Sequence, residues 1–317
     1  MFLQNLIQFK PGNFGFDSYI RKIYPSIPGF KIFIKNGLPY ITAEEESLPT
    51  NLFLKNPLKL IHRYFFLQYF INCEKEFKKN KLNINDIHCI YSPLTEYLFQ
   101  LKKIPQIITC HDLTPLFYSN TKRQKLRYEY LIPLHLKKSK KIIAISKFSA
   151  NQLVEIGISS KKIEVIYNGV ETIKQPIKNP TTNDIIVLAR HDLNKNVPYV
   201  LYGYDKLIKQ YQNWNGKLYI IGKEGKQSKL IKEIIKEINS SNIFLIDQLS
   251  KKSLIEYMKK SFLLISPSLM EGFNYPVIEA MSMGLPTLIS DIPLHKELYD
   301  QSSMLFKMDD MGKIWLI

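Results

Sequence analysis

Two glutamates, Glu271 and Glu279, stand with seven residues between them in the stretch Ser266-Pro-Ser-Leu-Met-Glu271-Gly-Phe-Asn-Tyr-Pro276-Val-Ile-Glu279-Ala-Met. The apolar run before it reads as a strand, the segment around Gly272 as a loop, and Pro276 as a residue of a helix's first turn. A helix start presents amides without helical partners and a partial positive charge, a combination suited to phosphate. Glu279 alone would be unremarkable, because the helix dipole favours acids early in a helix. The constellation is more specific than its parts. Two cations, Arg190 and Lys195, follow a second apolar run at 185–189. Together they could hold a diphosphate, Arg by its planar fork and Lys as a point charge, or they could simply be solvated surface residues. Gly222-Lys-Glu-Gly225 follows a third run at 217–221. Glycines there permit close approach to a ligand, or make an ordinary strand-to-helix turn.

The elements needed to position these residues are legible as alternating short β-rich runs and helical patterns. In the first half, strands are predicted near 30–34, 87–91, 106–110, 141–145 and 163–166, with helices near 58–79, 121–138 and 147–156. In the second half, strands are predicted near 184–189, 217–221, 243–246, 262–266 and 286–290. Helices lie near 197–211, 226–239, 250–260 and 276–284. Near-continuous apolar strands separated by helices of ten or more residues predict parallel sheets covered on both faces. Residues 168–183 have no apolar period and are rich in Pro, Asn and Thr. The expected organisation is therefore a first domain over 1–170, a linker over 171–183, and a second domain over 184–317. In open α/β sheets, ligands bind beyond the carboxyl ends of the strands, where the three features above lie.

Size and charge bound the function. A chain of 317 residues is long enough for two domains. The net charge of +16 is uneven: residues 1–180 carry 27 Lys+Arg against 13 Asp+Glu, and residues 181–317 carry 17 against 15. A compositional bias towards lysine would charge both halves alike, so the first half is expected to face a polyanion or an anionic membrane. Nucleic acid is not expected as a partner, because no zinc spacing, aromatic RNA-binding motif or recognition helix is present. The three cysteines, Cys73, Cys89 and Cys110, are widely spaced and form no CxxC, which fits a reducing cytoplasm. No signal peptide is read at the start. The longest aromatic-aliphatic stretch, Tyr64 to Ile71, falls far short of the ~20 residues of a spanning helix. Any membrane contact is expected to be peripheral.

The segment Glu271-Gly-Phe-Asn-Tyr-Pro-Val-Ile-Glu279-Ala-Met-Ser-Met-Gly-Leu-Pro-Thr-Leu-Ile-Ser resembles the E-x7-E signature of the large retaining glycosyltransferase family of group 1 (family 4), typified by bacterial mannosyl- and glucosyltransferases of surface-polysaccharide synthesis. Other segments resemble the family in the same order. They are the glycine loop Gly12-Asn-Phe-Gly15, the His-Asp turn Cys110-His111-Asp112, the stretch Ala144-Ile-Ser146-Lys-Phe-Ser149 followed by Ile166-Tyr-Asn168-Gly169, and Arg190 with Lys195-Asn196. The resemblance implies a GT-B architecture, two doubly wound Rossmann-like domains facing across a cleft. It also implies a nucleotide-sugar donor, GDP- or UDP-linked with mannose the first guess, and no metal or other cofactor; no Asp-x-Asp occurs in the chain. Carried over residue by residue, it implies that Arg190 and Lys195 neutralise the donor diphosphate and that Glu279 holds the ribose. Glu271, with the amides of Gly272, Phe273 and Asn274, would contact the transferred sugar. His111 would reach the sugar from the first domain, and the Gly12–Gly15 loop would shape the acceptor side.

Retention in this family is described as front-face return, the diphosphate helping to deprotonate the acceptor. The implied acceptor is a lipid-linked or surface glycan at the inner face of the cell membrane. The clusters Lys122-Arg123-Lys125-Arg127 and Lys137-Lys138-Lys140-Lys141 are candidates for membrane contact. Tyr128, Leu131 and Leu134 interleave with them at helical spacing, as core residues do. Two departures from the family stand out. Ala189 replaces a usual glycine before Arg190, and the family usually continues for some tens of residues beyond Asp310, so the second domain is expected to be short. An inactive relic, a non-catalytic subunit of a glycan-synthesis complex and a sugar-nucleotide epimerase are the competing expectations.

Overall fold

The computed structural model describes the strands at 4–9, 30–35 and 38–42, and residues 78–308 apart from 79–80, 82, 93–94, 96 and 171–179. The helix expected near 58–79, the glycines Gly12 and Gly15, and most of the expected linker lie outside the described residues. The chain divides into two compact units. The first comprises Met1–His111, Leu126–Ile145 and Ser149–Ile166, and the second Asp112–Lys125, Ser146–Phe148 and Tyr167–Ile317.

The first unit holds a seven-stranded sheet. Its strands are β1 (Gln4–Phe9), β2 (Phe30–Lys35), β3 (Leu38–Thr42), β4 (Ile87–Ser92), β5 (Gln106–Cys110), β6 (Lys141–Ala144) and β7 (Ile163–Val165), in the order β3-β2-β1-β4-β5-β6-β7. Only the β2–β3 pair is antiparallel. The helical stretch expected over 121–138 is interrupted. Helix α1 (Lys122–Leu126) passes into a π-turn (Arg127–Leu131) before α2 (Ile132–Lys138). Pro133 explains the break: it has no N–H for the carbonyl of residue 129, and its ring crowds that carbonyl. The ladder widens, and Ile132 N–H donates to the Arg127 carbonyl, five residues back. Helix α3 (Lys147–Glu155) follows β6.

The second unit holds a six-stranded, all-parallel sheet of β8 (Ile185–Leu188), β9 (Leu218–Ile221), β10 (Ile243–Ile246), β11 (Leu263–Ser266), β12 (Thr287–Ser290) and β13 (Met304–Phe306). The order is β10-β9-β8-β11-β12-β13, the doubly wound pattern. Helices α4 (Val197–Gln210), α5 (Ser228–Ile238), α6 (Lys251–Lys260), α7 (Tyr275–Ser282) and α8 (Pro293–Tyr299) connect the strands. Alternate strand residues feed two cores, one on each face. Ile185, Val187, Leu263 and Ile265 meet α4 and α5 through Val200, Leu201, Tyr204, Ile231 and Ile234. Ile186, Leu264 and Ile289 meet Met258, Val277, Ala280 and Tyr299. This double burial is why these strands lack a polar face in the sequence. Among the described residues, no helix is long and apolar enough to cross a membrane.

Candidate functional site

The winding of the second sheet reverses between β8 and β11, which are hydrogen-bonded neighbours. The loops beyond their carboxyl ends are therefore side by side, where a doubly wound sheet leaves its crevice. The β8 loop carries Arg190 and Lys195, and the β11 loop carries Glu271 to Asn274. Both loops end in one local device: a left-handed asparagine followed by a helix with proline in its first turn. Asn196 (φ 49°) precedes α4 with Pro198, and Asn274 (φ 60°) precedes α7 with Pro276. Asparagine is among the few non-glycine residues that visit this region readily, and proline suits the first helical turn.

The two loops are stitched together. Leu269 N–H donates to the Asn194 carbonyl at 2.8 Å, and Asn194 Nδ2 to the Met270 carbonyl at 3.1 Å. Lys195 Nζ reaches Glu271 Oε1 at 2.5 Å, and Ser268 Oγ donates to the same oxygen at 2.7 Å. Glu271 is only 8% exposed. A carboxylate so deeply placed requires partners, which the ammonium and the hydroxyl supply. Asp112, counted with the second unit, lies within electrostatic reach. Burial raises its carboxyl pKa, the Glu271 charge adds to the rise, and Lys195 opposes it. Asp112 Oδ1 also accepts from Thr114 N–H at 3.0 Å, closing the turn after His111.

The Glu271–Asn274 backbone is fixed through its carbonyls. Ser146 Oγ donates to the Gly272 carbonyl at 3.3 Å, and the Tyr299 hydroxyl donates to the Phe273 carbonyl. Because trans peptides are planar, the N–H groups of Phe273 and Asn274 point the opposite way from these held carbonyls. The Asn274 side chain does not cap its own helix. Its Nδ2 donates to Ser266 Oγ at 2.9 Å and to His295 Nε2 at 2.8 Å. His295 Nδ1 contacts the Ser290 carbonyl at 2.7 Å. A carbonyl only accepts, so Nδ1 carries the proton and Nε2 is the acceptor. Burial holds the imidazole pKa below 6.5, consistent with that neutral form.

The expected site residues are distributed as follows. Lys195, Glu271, Gly272, Phe273 and Asn274 come together in one cluster, with Gly272, Phe273 and Asn274 all buried. Glu279 lies in the second turn of α7, half-buried. Arg190 sits at the surface, its Nε 3.1 Å from Asp192 Oδ2, while Asp192 Oδ1 accepts from Asn120 Nδ2 at 3.1 Å. His111 is the residue after β5 in the first unit and is half-buried. Gly12 and Gly15 lie outside the described residues. The glycines of Gly222–Gly225 serve the protein's own backbone. A Cβ on Gly222 would overlap the Ala189 carbonyl, and one on Gly225 would stand 2.6 Å from the His191 carbonyl oxygen. They let the β9 loop lie against the β8 loop that carries Arg190 and Lys195. Sequence reading missed His295 and Tyr299. The signal available was their spacing of four in a helix opened by Pro293, but that helix is too short to show a full apolar period.

Two family models match the chain: "Glycosyl transferases group 1" over residues 170–307 and "Glycosyltransferase Family 4" over residues 38–174. The O-antigen chain mannosyltransferase RfbU of Salmonella typhimurium is 25% identical over 211 residues, 66% of this chain and 58% of that protein. The chain thus spans less than two thirds of that relative's length. The glycosyltransferase MJ1178 of Methanocaldococcus jannaschii is 26% identical over 280 residues, 87% of this chain and 67% of that protein. Among solved structures, Anabaena HepE in complex with UDP-glucose superposes with a TM-score of 0.65 at 13% identity, over 96% of this chain and 85% of that one. That likeness bears on the fold, which is the α/β GT-B fold with parallel sheets.

Proposed function

Because the chain belongs to the group 1 glycosyltransferases, we propose that it transfers a hexose from a nucleoside-diphosphate sugar to a lipid-borne glycan, with retention. The observation that carries this reading is the paired loop at the β8–β11 switch, where Lys195 and Glu271 meet beside the start of α7. In the reaction, the bond from the anomeric carbon to the diphosphate oxygen breaks and its electron pair leaves with the nucleotide. A bond from the same carbon to an acceptor hydroxyl oxygen forms. The hydroxyl proton passes to the departing diphosphate, which lies on the same face.

Negative charge develops on the diphosphate, so fixed positive groups accelerate the step. Lys195 is held where it can share its ammonium between Glu271 and a phosphate oxygen. Arg190 screens the diphosphate from the rim, and the amides of Phe273 and Asn274 add partial positive charge. Glu279 receives the ribose hydroxyls, Glu271 faces the transferred sugar, and His111 is a further residue assigned to that sugar. The chain's residues carry the charge compensation, with no metal assigned a step. The mannosyltransferase name of a relative supports mannose as the first sugar to test, offered as GDP-mannose. A UDP-glucose complex in a similar fold keeps uridine donors in the test. The acceptor's lipid would hold the protein at the inner face of the membrane.

The test is release of nucleotide from GDP-mannose, UDP-glucose, UDP-galactose and UDP-N-acetylglucosamine, each offered separately, together with the thermal shift each donor produces. Turnover of one donor supports the reading. Folded protein that neither binds nor turns over any of them contradicts it.

A further inference from the structure

Among the described residues of the first unit, most of the lysines gather around one concavity. A pocket of about 540 Å³ is lined by Lys102, Lys103, Lys138, Lys140, Lys161 and Lys162, with Gln106 and Lys141 beside them. Two of these lysines serve the fold. Lys162 Nζ donates to the carbonyls of Lys137 and Ser139 at 2.7 and 3.0 Å, finishing α2, and Lys141 Nζ pairs with Glu164 at 2.7 Å. Lys102, Lys103, Lys138, Lys140 and Lys161 are exposed. The pocket lies at the amino end of β5, where Gln106 begins the strand that ends before His111. Five strand residues at about 3.3 Å each separate it from the carboxyl edge, where doubly wound sheets bind substrates. A donor or an acceptor sugar does not belong here.

An apolar row runs into this pocket. Leu126, Tyr130 and Leu134 are 56%, 68% and 43% exposed, and the next step of four is Lys138 on the pocket wall. In a regular α-helix, positions four apart drift by about 40° per step, so such a row would spiral off the face. The π-turn Arg127–Leu131 is wound more loosely and takes up part of that drift. The same change of register accounts for Leu134, which helical spacing had grouped with the core and which faces solvent instead. Ile132, His135 and Leu136 are the buried residues of α2.

We infer that this face rests on an anionic lipid leaflet, with Leu126, Tyr130 and Leu134 at the acyl boundary and the pocket lysines on lipid phosphates. The inference rests on the lipid-borne acceptor proposed above and names the surface that would meet its membrane. A free phosphate would engage lysines alone and give no role to a row of large apolar side chains. A bilayer surface uses both, and tyrosine suits its interface.

The test uses the full chain and co-sedimentation with vesicles of phosphatidylcholine alone or mixed with phosphatidylglycerol, at low and high salt. Wild type is expected to bind only the anionic vesicles. A Lys103→Glu, Lys140→Glu, Lys161→Glu variant should bind them at least about tenfold more weakly, each lysine adding an electrostatic increment. A Leu126→Ser, Tyr130→Ser variant should bind at low salt and be released by salt that wild type survives. Both variants should keep wild-type donor turnover in solution, which also reports that they fold. Undiminished binding by both variants, binding to neutral vesicles, or displacement of wild type by inorganic pyrophosphate at matched phosphate concentration would overturn the inference. Vesicle binding without turnover of any donor would leave the surface standing and remove the catalytic reading instead.

Discussion

Asn274 Nδ2 donates to His295 Nε2 at 2.8 Å, so a helix after β12 holds the asparagine that turns the β11 loop into α7. One turn along that helix, Tyr299 donates to the Phe273 carbonyl. The two side chains, four apart, grip adjacent residues of the loop that presents the Phe273 and Asn274 amides. They are positioning residues.

Tyr299→Phe keeps the ring and removes the hydroxyl, leaving the buried Phe273 carbonyl without that donor. The expected loss of stability is about 1–3 kcal/mol by denaturant titration. Donor turnover should fall through kcat more than through KM, because the freed peptide no longer aims its amide. Unchanged kcat in a variant destabilised by that amount would reduce Tyr299 to packing.

Gly222→Ala should be costly although the change is one methyl group. The added Cβ overlaps the Ala189 carbonyl, and backbone on both sides cannot give way as a flexible side chain could. Overpacking of this kind costs about 1–3 kcal/mol. Because Ala189 precedes Arg190, donor affinity should weaken as well. Alanine at the exposed Gly169, where nothing among the described residues lies within 4 Å of a Cβ, should be silent in the same assays.

Acid should destabilise the protein through its buried histidines. Burial lowers the pKa of His295 and of His191 below 6.5. Below pH 6.5 the unfolded chain takes up protons that the folded one refuses, so stability falls with pH until the folded pKa values are reached. Each histidine contributes at most about 1.4 kcal/mol per pH unit in that window. Asp112 works with the opposite sign. Its carboxyl is raised, so its stabilisation is full below 3.8 and is lost as pH rises through its folded pKa. Melting curves of wild type and His295→Gln between pH 7.5 and about 5 separate these contributions. The variant should melt lower at neutral pH yet lose less on acidification. Parallel curves would contradict the assignment.

Much of this architecture was readable because burial on both faces writes an unmistakable pattern. The strands β8 to β12 are apolar at nearly every position, and their expected spans differ from those observed by one residue at most. β1 escaped notice although it sits in the middle of its sheet, since Gln4, Asn5 and Gln8 interrupt its apolar run. β13 and α8 were too short to show a period. In the site, Lys195 and Glu271 were legible from their places after strands. Their direct contact was not, because it depends on β8 and β11 being neighbours across 76 positions of sequence. The Gly222–Gly225 loop shows the converse: glycine permits close approach, but the sequence does not say to what.

The most direct test of the account is steady-state nucleotide release from the preferred donor by wild type, Lys195→Ala and Glu271→Gln, each checked for folding by its thermal melt. With Lys195 and Glu271 acting on the departing diphosphate and the transferred sugar, both variants should lose about 100-fold or more in kcat. The double variant should lose far less than the product of the two, because each residue already depends on the other. Near-wild-type turnover by folded Lys195→Ala would contradict the central claim that this pair forms the reaction centre.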